Sequence, residues 1–328
     1  MKKILAMAAA ICLTIACCTG CGQTSPSKPD SVNKTYRVGI CQLVQHEALD
    51  EATKGFKAAL TDKLGDKIVF DEQNASGEAT NCTTICSKFV SDKVDLIMAN
   101  ATGALSAAAQ ATADIPIVAT SITDYATALG ITDWKGTTGF NVTGTADLAP
   151  LAEQAKMIQE LVPTAKNVGI LYCSAEPNSK FQSDEISKSL NELGLTAKEF
   201  TFVDTNDVMA VAAQAAAESD VIFAPTDNTV ASNGPAINNV LEPAKIPLVA
   251  GENGICKKCG IATLSISYYD IGYRAGEMAY EILVNGADPA EMKIEYASDL
   301  TKMYMADRCK ALNITVPESY EAITVTDE

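Results

Sequence analysis

YRVGICQLVQHEALDEATKGFKAAL, residues 36–60, holds the change of period on which the fold turns. Its opening, Tyr36–Cys41, sets Val38 and Ile40 in a short apolar run and reads as a buried strand. From His46 to about Thr61 the spacing becomes helical, because Leu49, Ala52, Phe56, Ala59 and Leu60 fall on one face. A strand followed at once by an amphipathic helix is half of a βαβ unit. KNVGILY at 166–172 repeats the opening phrase, so a second lobe of the same kind is expected there.

Outward from these two starts, apolar runs alternate with helical stretches along the chain. Strands are expected at Ile68–Asp71, Val94–Ala99, Ile115–Ala119 and Thr138–Val142, then at Asn167–Tyr172, Lys198–Phe202, Val221–Ala224, Ile246–Val249 and Gly260–Leu264. A helix is expected over Tyr269–Leu283, with Ile271, Ala275, Met278, Ala279 and Ile282 on one face. The pattern divides near Asp147–Pro150 and then begins again. The fold class is therefore α/β, with two doubly wound parallel-sheet lobes.

Composition bounds the function. The 328 residues carry 25 Lys and Arg against 41 Asp and Glu, a formal net charge of -16, which excludes recognition of nucleic acid or an anionic membrane through a basic patch. MKKILAMAAAICLTIACC begins with Lys2 and Lys3 and continues as an apolar run too short to span a bilayer, so residues 1–20 read as an export signal. Cys18-Thr19-Gly20-Cys21 resembles a bacterial lipoprotein box with Cys21 as the lipidated residue; Cys17 is the weaker candidate. Residues 21–35, rich in Ser, Pro and Lys after the anchor, read as a flexible tether.

Seven cysteines fall in the body: Cys41, Cys82, Cys86, Cys173, Cys256, Cys259 and Cys309. An odd number cannot all pair. Cys256-Lys-Lys-Cys259 has the spacing of a redox or zinc half-site, yet no second such pair accompanies it and His46 is the only histidine. A local disulfide and free thiols both remain open, and Cys82 with Cys86, one helical turn apart, read as small core residues.

Ligands of open α/β sheets bind beyond the carboxyl ends of the strands. Here those ends are polar throughout. Lobe one offers Gln42 and His46, then Asn100 and Thr102, then Ser121, Thr123 and Asp124, then Thr143 and Asp147. Lobe two offers Tyr172 with Ser174 and Glu176, then Asp227, Asn228 and Thr229, then Gly251 and Glu252. Each alone has a second reading as a helix cap or turn former; it is the recurrence at one edge of both lobes that points to a ligand cleft. No Ser, Cys or His arrangement supplies a nucleophile with its base, and glycine-rich phosphate loops are missing. The chain is therefore expected to be a binding protein rather than an enzyme, with neither metal nor cofactor.

VGICQLVQHEALDEATKGF, NASGEATNCTTICSKFVSDKVDLIMANAT, DIPIVATSITD, GFNVTGTAD, VGILYCSAEPNS, IFAPTDNTVAS and KIPLVAGENG together resemble the ABC-transporter substrate-binding lipoproteins of the tryptophan/tyrosine-binding type, within the type I periplasmic binding proteins. The departures are Cys41, Cys173 and the pair in GENGICKKCG. The resemblance implies a three-crossover hinge, with lobe 1 at residues 36–146 plus 267–291 and lobe 2 at 147–266 plus 292–328. It also implies an extracytoplasmic, lipid-anchored monomer of bacterial origin that closes on a small ligand and delivers it to a permease driven by an ATPase. The implied ligand is an aromatic or other hydrophobic amino acid. For its carboxylate the expected partners are Ser121 and Thr123, near Asp124, and for its ammonium Asp227 and Glu252. Gln42, His46, Thr102 and Asn228 complete the expected set, with Tyr172 or Tyr268 as an aromatic wall. A nucleoside or sugar cargo, or a sensing lipoprotein that signals through a partner, is the alternative. Stacked sugar sites are poorly served by aromatics at 6% and a single tryptophan, Trp134.

Overall fold

The computed structural model describes residues 34–324, so the expected leader, Cys21 and the tether as far as residue 33 lie outside the described residues. Two sheets organise the chain. With strands numbered in chain order, the first holds β1 (Tyr36–Gln42), β2 (Ile68–Asn74), β3 (Leu96–Asn100), β4 (Ile117–Ile122), β5 (Val142–Ala146) and β11 (Glu295–Tyr296), in the order β11-β5-β4-β3-β1-β2. All its pairings are parallel. The second holds β6 (Asn167–Cys173), β7 (Thr196–Phe202), β8 (Val221–Ala224), β9 (Leu248–Ala250), β10 (Ala262–Ser265), β12 (Thr301–Tyr304) and β13 (Glu321–Ala322), in the order β13-β12-β10-β9-β8-β6-β7. Only the β10–β12 pairing in it is antiparallel.

Parallel sheets need cover on both faces, and β1 shows how the sequence supplies it. Val38 and Ile40 pack with Phe56 and Leu60 of α1 (Glu47–Leu64) and with Ala275 of α10 (Tyr268–Asn285). Cys41 faces the other layer, with Cys82, Cys86 and Phe89 of α2 (Ala79–Ser91). Burial of a side chain such as Phe56 contributes about 1.5–3 kcal/mol. The two cysteines of α2 are thus core residues.

Helix α10 follows the second lobe in sequence and packs on the first. Glycines make this docking close: a Cβ on Gly272 would stand 2.0 Å from the Ala52 carbonyl oxygen, and one on Gly55 would stand 2.1 Å from that of Tyr269. The chain therefore passes between sheets after β5, after β10 and again after β11.

Two expectations need correction. The fifth strand is not Thr138–Val142 but Val142–Ala146, because Gly139 turns at φ 71° and the Thr138 hydroxyl closes that turn on the Val142 carbonyl at 2.6 Å. The third passage lies beyond residue 291, since Glu295 and Tyr296 still pair with Thr145 and Ala146 of the first sheet.

Candidate ligand-binding site

The carboxyl ends of both sheets face one cleft, and the hydrogen-bond partners found there separate two kinds of polar residue. In the second lobe, Asp227 caps α8 (Asn228–Ala244). Its Oδ1 accepts from Val230 N at 2.7 Å, while Oδ2 accepts from Cys173 N at 2.8 Å and from the Ser179 hydroxyl at 2.7 Å. Glu176, which precedes α6 (Pro177–Glu192), accepts from the backbone nitrogens of Asn228 and Thr229 and from both their side chains. Glu252 caps α9 (Asn253–Cys259) through Gly254 N and Ile255 N, both at 2.5 Å. Each carboxylate satisfies the otherwise unpaired amides of a helix start.

The two acids expected to receive the ammonium thus already carry the protein's own donors. Asp227 is 1% exposed and all its contacts are internal to the lobe. Burial, and then the neighbouring Glu176 charge, push its carboxyl well above the usual range. Glu252 is pushed up to about 7 by burial and is held by its own helix. Asp124 likewise caps α4 (Tyr125–Leu129), accepting from Thr127 N at 2.6 Å. Gln42 ties its strand to α1, donating to Asp50 and Val44 and accepting from Thr53. Tyr172 is not a wall of the cleft: it shares the parity of Val168 and Ile170 along β6 and packs with them in the lobe-two core.

The first lobe is built differently. Ser121 has φ 58°, in the left-handed region, where the β4–β5 register shifts. Such irregularities re-aim side chains, and a strained non-glycine residue there costs of order 1–3 kcal/mol. Its hydroxyl is buried and has no partner among the described residues. Ala101 N donates to Thr120 O, which brings Thr102 and the first turn of α3 (Thr102–Ala111) beside the same strand end.

Asp147, at the first passage between lobes, is 4% exposed. Its Oδ1 accepts from the Thr123 hydroxyl at 3.2 Å and its Oδ2 from the Tyr268 hydroxyl at 2.9 Å. Among the described residues no lysine or arginine pairs with it, and burial raises its carboxyl to about 6 against the opposing effect of the two hydroxyls. A desolvated carboxylate with neutral partners only is a poor arrangement for folding and a good one for receiving a cation.

Contacts across the cleft join the two lobes. Gln182 Nε2 reaches the Thr123 hydroxyl at 3.4 Å, His46 Nε2 stands 3.1 Å from Asn228 Oδ1, and Lys257 pairs with Glu47. Between the lobes lies a cavity of 380 Å³ whose walls include Leu43, Val44 and Gly103 on one side and Cys173, Asn178 and Asn228 on the other. Asn178 and Gln182 connect this cavity to Thr123 and Asp147 through a continuous series of hydrogen bonds. Contacts between the lobes thus involve His46, Asn228, Thr123 and Gln182, with Tyr268 joined to Thr123 through Asp147, while Ser121 and Thr102 lie at the ends of β4 and β3. Sequence reasoning named Asp147 at its strand end but left it out of the site, and it missed Gln182.

Cys256 and Cys259 are free thiols, buried with Cys309 close by. Burial pushes Cys259 up to about 12 and Cys256 well above the ordinary thiol range, which disfavours the thiolate that redox exchange requires. Among the described residues no group of three or more His, Cys, Asp or Glu is placed to hold a metal, and no helix is long and apolar enough to cross a membrane.

Comparison with known proteins agrees with this layout. Residues 37–325 match the family described as ABC transporter substrate binding protein. A tyrosine-binding protein of Clostridioides difficile (strain R20291) is 35% identical over 322 residues, 95% of this chain and 93% of that one. The ABC domain in complex with L-Trp from Streptococcus pneumonia is 30% identical, with a TM-score of 0.85 over 88% of this chain and 100% of that one. A substrate-binding protein with adhesive properties from Clostridium difficile, in its ligand-free, open form, is 34% identical, yet its TM-score is only 0.68 over 89% of this chain and 100% of that one. The lobes here are thus arranged more like the tryptophan complex than like the open form, in keeping with the contacts across the cleft. The chain belongs to the ABC transporter substrate-binding protein family.

Proposed function

We propose that this protein is the extracytoplasmic solute-binding component of an ABC importer, taking a zwitterionic amino acid with an aromatic side chain between its lobes. The observation that carries the reading is Asp147, a buried carboxylate that no lysine or arginine among the described residues pairs with, and whose backbone nitrogen donates to Ile122 O, the residue after Ser121. An ammonium group beside Asp147 offsets its desolvation. A carboxylate suits the Ser121 hydroxyl and the amide end of α3 at Thr102. Thr123 and Tyr268 hold Asp147 in place, and His46 with Asn228 latches the lobes.

Closure on the ligand then presents both lobes in one fixed relation to a permease, with Cys21 as the lipid anchor and a monomer as the working unit. Binding energy shifts the population toward this closed arrangement. The tyrosine- and tryptophan-binding relatives support the ligand class. A thermal-shift screen of the purified protein against the twenty amino acids, nucleosides and simple sugars tests it. Tyrosine or tryptophan at 100 times its dissociation constant is expected to stabilise by about 2.7 kcal/mol. A rise with sugars or nucleosides alone would overturn the reading.

A further inference from the structure

The chain has a single histidine, and among the described residues one nitrogen of its imidazole has no partner. His46 precedes α1 and is 7% exposed. Its Nε2 faces Asn228 Oδ1 across the cleft at 3.1 Å. The orientation of Asn228 is set by its own amide nitrogen, which donates to Glu176 at 2.7 Å, so Oδ1 is the atom turned to the ring. An oxygen there requires that Nε2 carry the proton. Nδ1 is then a bare lone pair, buried and without a protein donor.

The surroundings indicate what kind of donor fits. The charged groups near the ring are Lys258 of α9, Glu176 before α6 and Asp50 of α1. Burial keeps the imidazole neutral, the neighbouring Lys258 acting in the same direction. One cation and two acids surround the ring, so charge alone does not choose the donor; a neutral acceptor matches a neutral N–H or O–H, while an ammonium is drawn to the carboxylate of Asp147. Leu43, Val44 and Asn228, the residue that His46 meets across the cleft, line the partly apolar 380 Å³ cavity.

We propose that His46 Nδ1 accepts a hydrogen bond from a phenol O–H or indole N–H on the ligand side chain, and so selects such rings over a bare benzyl group. The proposal rests on the amino-acid reading above. A site built around one polar partner discriminates strongly against the analogue that lacks it.

With one histidine, nitrogen NMR of the protein labelled with ¹⁵N-histidine is expected to show one protonated and one unprotonated ring nitrogen. Tyrosine or tryptophan is expected to shift the unprotonated resonance, assigned to Nδ1, whereas phenylalanine leaves it in place. Calorimetry supplies the second readout: the wild type favours tyrosine over phenylalanine by about tenfold or more, and His46→Leu, which weakens both ligands by removing the contact to Asn228, brings that ratio near one. An Nδ1 resonance unmoved by tyrosine and tryptophan, or moved equally by phenylalanine, overturns the proposal but leaves the amino-acid reading standing. If none of the three binds, both fall together.

Discussion

Two strand edges face each other across the cleft, similar in sequence and opposite in use. At the second lobe Glu176, Asp227 and Glu252 place both carboxylate oxygens on protein donors, at helix starts and, for Asp227, also at the end of β6. At the first lobe and the passage leading from it, among the described residues the Ser121 hydroxyl and one nitrogen of His46 have no partner, and Asp147 has neutral ones only. The difference teaches that acidity at a strand end does not mark a ligand group. What marks it is binding capacity left unused after the protein's own donors and acceptors have been paired.

Changing one acid on each side breaks or sharpens the contrast. Asp147→Asn removes the charge but keeps the shape, and is expected to weaken tyrosine or tryptophan binding by about 100-fold or more in calorimetry, near 3 kcal/mol. Ligand-free stability is not expected to fall, because a desolvated charge disappears. Asp227→Ala should do the reverse. It leaves Val230 N, Cys173 N and the Ser179 hydroxyl unpaired, so a loss of about 2–3 kcal/mol is expected in thermal unfolding, with affinity changed by less than about threefold. Loss of binding with unchanged stability would return Asp227 to the ligand site.

Acid gives a graded version of the same contrast. With Asp147 raised to about 6 by burial, a ligand ammonium lowers that value, so affinity is full above pH 6 and declines below it by up to about tenfold per pH unit. Ligand-free stability follows the opposite sign. The raised carboxyls of Asp147 and Glu252 stabilise the fold below the ordinary carboxylate range, and that contribution is lost as pH rises through about 6 and about 7. Melting curves and binding titrations across this range check both signs. The smallest effect is expected at Lys257, whose pair with Glu47 crosses the cleft in partial contact with solvent. Lys257→Ala should change affinity by less than about fivefold and reduce its salt dependence.

Much of the fold was legible because parallel strands buried on both faces are short apolar runs, and because the helices covering them keep one apolar stripe. The shifted fifth strand was not, since Thr138–Val142 looks like a strand until Gly139 is known to turn. Nor was β11, two residues being too few to carry a pattern. The site was legible as an edge rather than as a set of contacts. Asp227 and Asp147 are the same residue type after the same kind of strand, and what separates them is distant in sequence: Cys173 and Ser179 for one, Thr123 and Tyr268 for the other. Tyr172 could have been placed from sequence, since strand parity puts it with Val168 and Ile170.

The most direct measurement is proton release on binding, obtained by titrating tyrosine into the protein at pH 6 in two buffers of different ionisation enthalpy. If Asp147 receives the ligand ammonium, about half a proton should leave on binding, and the release should vanish in Asp147→Asn. Tight binding with no release, or the same release in both proteins, would contradict the assignment of Asp147 as the cation site.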